Sequence, residues 1–83
     1  MSKAVYIEWL DHGNYDSSCW RERGELEELR GCPCWTLGWI VAEDKYRIVV
    51  AGTEGGKNPP KWFGEICILK NCILKRRNIK VPR

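Results

Sequence analysis

Along this chain apolar residues recur mostly at every second position, the period of a strand with one buried face. Lys3 to Leu10 alternates, with Val5, Ile7 and Trp9 on one face and Tyr6 and Glu8 on the other. That is the pattern of a half-buried strand. Asp11–Ser18 is rich in Asp, Gly, Asn and Ser and reads as a loop. The one helical signal lies near Glu22–Arg30, where Leu26 and Leu29 share a face among good helix formers, and Gly31 and Pro33 stop it. At two turns it must lean on a sheet to persist.

A second strand is predicted over Cys34–Ala42, with Trp35, Leu37, Trp39 and Val41 on one face and Thr36, Gly38 and Ile40 on the other. The bulkier set is assigned to the core, together with Trp9. Glu43-Asp44 is a polar break before a third strand, Tyr46–Ala51, so the two form a hairpin. Gly52–Lys61, with its Gly and Pro residues, reads as a loop. Trp62–Leu69 is a fourth strand, Lys70-Asn71-Cys72 a tight connection of the 3₁₀ kind, and Ile73–Val81 a fifth strand that Pro82 ends. Five short strands with one short helix between strands 1 and 2 predict a mainly β fold, a small SH3-like barrel. Closure disposes of exposed strand edges. A five-stranded OB-type barrel is the alternative, although its helix usually comes later in the chain.

Composition adds bounds. The chain has 83 residues, enough for a single domain over 1–83, with a basic strand and tail at 75–83. It is 43% hydrophobic and 30% charged, which separates it from disordered chains. No apolar run approaches the ~20 residues of a membrane span, and no secretory signal opens the sequence, so no membrane partner is expected. The net charge of +3 hides a split: residues 1–44 carry nine acids and four bases, residues 45–83 two acids and ten bases. Lys75, Arg76, Arg77, Lys80 and Arg83 cluster at the end. Such a cluster is either a footprint for nucleic acid or a solvated strand whose charges guard a sheet edge.

Five cysteines without an export signal point to reduced thiols in a cytoplasmic setting. Cys32-Pro-Cys34 with Cys67-x4-Cys72 offers four thiolates to zinc, but Cys-x-Cys is a poor start for a structural site. The expectation is small buried thiols, with no metal and no cofactor.

Several stretches carry a resemblance. Trp9-Leu10-Asp11-His12, Ser17-Ser18-Cys19-Trp20, Gly38-Trp39-Ile40-Val41, Ile48-Val49-Val50-Ala51 and Ile68-Leu69-Lys70-Asn71-Cys72-Ile73 resemble segments of a group of small uncharacterised proteins encoded by phages and prophages. The resemblance spans most of the chain, in short and largely hydrophobic motifs. Cys19, Cys32, Cys34 and Cys67, the extended basic tail, and Leu69 in a place where Pro is common depart from the group's pattern. It implies a phage-related origin and a small barrel in a bacterial host cytoplasm. It implies no reaction and no ligand.

Candidate chemistry is sparse. His12 is the only histidine, so any Ser–His or Cys–His pair must use it. Gly52-x-x-Gly55-Gly56-Lys57 lacks phosphate-loop spacing. The chain is therefore read as a non-enzyme. Loops on a rigid scaffold favour binding, so Asp11, His12, Trp20 and Arg21 form one candidate patch. Trp62 and Phe63 form another, because adjacent strand residues point to opposite faces and one of the two must be exposed. The primary expectation is a binding module for a host protein or small ligand, or a self-associating homodimer. The alternative is a nucleic-acid binder using Lys75, Arg76, Arg77, Lys80 and Arg83.

Overall fold

The computed structural model describes residues 3–11, 20, 22–24 and 31–82. Its strands are β1 (Ala4–Asp11), β2 (Cys32–Glu43), β3 (Arg47–Gly55), β4 (Lys61–Leu69) and β5 (Ile73–Ile79), with a 3₁₀ turn at Lys70–Cys72. All pairings are antiparallel, and the order across the single sheet is β4-β3-β2-β1-β5. The chain thus meanders from β1 to β4, then crosses through the 3₁₀ turn to lay β5 on the free side of β1.

Each strand is close to its predicted position. The exception is β3, which runs on to Gly55 and takes in Gly52-Thr53-Glu54 from the predicted loop. The β2–β3 turn explains the polar break. The Asp44 carboxylate accepts the Tyr46 and Arg47 amides at 2.8 and 3.0 Å, and the Arg47 Nε–H donates to it at 3.2 Å. An Asp that binds amides two and three residues on is a local turn-former.

Sheet curvature makes the core. β1 and β3 are separated by β2, yet Val5, Ile7 and Trp9 share one buried cluster with Ile48, Val50 and Ile68 of β3 and β4. Two bulges help the bend: Val41 is extra between Ile40 and Ala42 on β2, and Leu74 is extra where β5 meets Glu8 and Trp9. Bulged strands bend and twist more strongly.

The bend also explains Gly38. A Cβ there would collide with the Ala51 carbonyl oxygen and stand 2.9 Å from Val50 Cγ1. β3 therefore folds directly over β2 at this point, and only glycine leaves room.

Two expectations are corrected. The first concerns β2. Cross-strand partners share a face, and Trp9, Ile7 and Val5 pair with Cys34, Thr36 and Gly38. The small set therefore faces inward, and the assignment of Trp35 and Trp39 to the core fails. Trp35 is 67% and Leu37 66% exposed, and Trp39 is half-buried. At Gly38 the curved interior has no room for a side chain, Ile40 packs against the core, and Thr36 accepts the Trp9 indole N–H at 2.8 Å.

The second concerns closure. The sheet is open, not a barrel: no β4–β5 ladder forms among the described residues. β5 turns Arg76 and Asn78 to the inner side, opposite Ile7 and Val5, and a closed apolar interior has no place for them. The radius of gyration, 16.2 Å, exceeds the about 12 Å of a compact chain this long. The helix predicted near Glu22–Arg30 lies for most of its length outside the described residues and is left without support. Among the described residues no helix is long and apolar enough to cross a membrane.

Candidate functional site

Three surfaces follow from this architecture. The outer face of β5, β1 and β2 is the first. The pairing registers set its rows: Lys75–Glu8–Trp35, Arg77–Tyr6–Leu37 and Ile79–Ala4–Trp39. β2 supplies apolar bulk, β5 supplies cations, and β1 lies between. The Tyr6 hydroxyl donates to Glu8 Oε1 at 2.7 Å. That bond to a carboxylate pushes the Tyr6 phenol above its ordinary pKa, against a smaller opposing pull from the Arg77 guanidinium. Lys75 and Arg77 form no ion pair with the described residues.

The second surface is the β4 edge. Phe63 is 79% exposed, and Ile66 and Leu69 are also exposed. Trp62 is half-buried and tied down, its indole N–H donating across the hairpin to Glu54 Oε2 at 2.8 Å. The expected split between Trp62 and Phe63 is therefore observed, with Phe63 the exposed member. Gly64, between Phe63 and Glu65, has φ +72°, in the region that favours glycine. The register with β3 is nevertheless continuous across it, from Ala51–Glu65 to Thr53–Phe63.

The third is an ionic clasp at the mouth of the core. Arg76 binds Glu43 through two bonds, Nη1–Oε2 at 2.6 Å and Nη2–Oε1 at 3.0 Å, and Lys70 Nζ stands 2.8 Å from Oε2. These donors pull the Glu43 carboxyl down from 4.5 to about 2, against a smaller effect of burial. The clasp links β5 and the 3₁₀ turn to the far end of β2 where the open sheet would otherwise gape. Arg76 is thereby separated in role from Lys75 and Arg77, which the sequence grouped with it. Lys80 is exposed beyond β5.

The expected burial of the thiols is corrected among the described residues, where Cys32 and Cys67 are exposed and Cys34 and Cys72 half-buried; Cys19 lies outside them. Cys34 packs against the core and donates to the Cys32 carbonyl at 3.4 Å. Partial burial, then the neighbouring Cys32, push its pKa up. Among the described residues no three His, Cys, Asp or Glu side chains gather as a metal site.

Of the first predicted patch, Asp11 ends β1 half-buried and Trp20 is exposed. His12 and Arg21 lie outside the described residues, as does Arg83. Sequence reasoning missed Trp35 and Leu37. The available signal was the small-residue series Thr36 and Gly38, which suits a crowded inner face.

No family model, curated protein or solved structure matches the chain.

Proposed function

We propose that the chain is a non-enzymatic binding module that recruits an extended polypeptide strand at its β4 edge, with a second copy of itself as the partner. The observation that carries this reading is the contrast between the sheet's two edges. β5 carries three consecutive cations, Lys75, Arg76 and Arg77, between exposed Leu74 and Ile79, the kind of charge that blocks edge pairing, whereas β4 exposes Phe63, Ile66 and Leu69 with one cation, Lys61, and one anion, Glu65. Strand addition takes affinity from main-chain hydrogen bonds and selectivity from alternate side chains.

A two-fold antiparallel pairing centred on Ile66 sets Ile66 against its own copy and Phe63 against the copy's Leu69. Such a self-complementary contact is what a closed dimer needs. The meander order, with a 3₁₀ turn before β5, supports an SH3-like ancestry for the opened sheet. The motif resemblance favours a phage-related protein at work in a bacterial cytoplasm.

Sedimentation equilibrium tests the pairing, together with amide exchange of β4 from dilute to concentrated solution. The expected result is a dimer with concentration-dependent protection of β4. Phe63→Lys should dissociate it, and Phe63→Lys with Leu69→Glu should restore it by placing opposite charges across the two-fold. A chain that stays monomeric, with unchanged β4 exchange throughout, overturns the proposal.

A further inference from the structure

We infer that the outer face of β5, β1 and β2 is a second, separate site, which takes single-stranded nucleic acid by stacking bases on Trp35 beside phosphates held by Lys75 and Arg77. The geometry is that of a graded strip. Adjacent strands lie about 4.8 Å apart, so Lys75 and Trp35 in one row are about 10 Å apart at their backbones, with successive rows about 6.6 Å further along. Long cationic side chains on one border and a flat aromatic on the other are the two parts of a sequence-tolerant single-strand site: a positive groove for the backbone and a platform for the bases.

Trp35 and Leu37 have two-thirds of their surface in solvent, and an exposed apolar patch of this kind marks an interaction surface. The cations suit a polyanion because they are uncommitted. Of the ten bases in residues 45–83, Arg47, Lys70 and Arg76 are held by Asp44 and Glu43. Lys75 and Arg77 pair with no acid among the described residues and share the Trp35 side of the sheet. An acidic peptide would satisfy them equally well but would leave the indole without a matching flat partner. Glu8, between Lys75 and Trp35, works against any polyanion and so provides an internal control.

The inference does not depend on β4 pairing, because its residues lie on other strands. Titration of the full chain with a labelled oligothymidylate, over a range of salt concentrations, tests it. Binding at low salt is expected. Trp35→Ala should weaken it about tenfold, the loss of one stacked base, without changing its salt dependence. Trp35→Phe should recover most of that loss. Lys75→Gln with Arg77→Gln should make the slope of log affinity against log salt shallower by about 1.4. Glu8→Gln should tighten binding. Three results would each overturn the inference: no binding at low salt, a Trp35→Ala variant indistinguishable from the parent, or equally effective displacement by polyglutamate. Thermal melts of each variant separate lost binding from lost folding.

Discussion

Trp9 and Trp35 stand one strand apart, in strands that alternate equally well, and their surroundings are opposite. Trp9 is 9% exposed and its indole nitrogen is satisfied by Thr36, whereas Trp35 is 67% exposed on the reverse face. The difference lies in what covers each face. The inner face is roofed by Ile48, Val50 and Ile68 because the sheet bends back over it, while Trp35 on the outer face has no such cover among the described residues. Alternation therefore shows that two faces differ, and curvature decides which of them is the interior.

The largest break in this contrast should come from Trp9→Ala. Removing the indole opens a cavity and strips Thr36 of its partner, at a cost of about 4 kcal/mol in urea unfolding. Gly38→Ala comes next. The added methyl group has nowhere to go beneath the Ala51 carbonyl, and about 3 kcal/mol of destabilisation is expected from chemical denaturation.

A smaller effect is expected at the rim, where the inner face ends in ions rather than hydrocarbon. The depressed pKa of Glu43 means that its contribution is complete above the unfolded value of 4.5 and disappears as pH falls toward about 2. Its partners are partly solvent-exposed, so screening trims the contribution to about 1 kcal/mol. Glu43→Gln should remove that amount at neutral pH and flatten the acid limb of stability against pH. An unchanged acid limb would show that the clasp does not hold the mouth closed. Smallest of all, Trp35→Ala should shift stability by less than about 0.5 kcal/mol. A shift comparable to that of Trp9→Ala would mean that the outer face is buried and would abolish the distinction.

Strand positions were legible because β-branched and aromatic runs alternate with Gly, Pro and Asp punctuation. Val5, Ile7 and Trp9 were placed correctly since their outward neighbours include Glu8, whose charge decides the matter. On β2 neither series carries a charge before Glu43, so bulk was the only guide and it pointed the wrong way. The partner register that settles the question is a long-range fact, set when Cys34, Thr36 and Gly38 line up with Trp9, Ile7 and Val5. Closure failed for a similar reason. Arg76 and Asn78 face inward only because of how β5 aligns with β1. The tail cations were recognisable as a group, but their division into the clasped Arg76 and the uncommitted Lys75 and Arg77 required the third dimension.

The placement of β1 between β2 and β5 has a consequence for synthesis. A ribosome adds about 5–20 residues per second, so β1 emerges several seconds before β5 can join its open side. Until then Val5, Ile7 and Trp9 belong to a strand with one flank bare, and the nascent chain carries an unfinished apolar surface. The β1–β5 ladder joins strands far apart in sequence, and pairing of that kind slows folding.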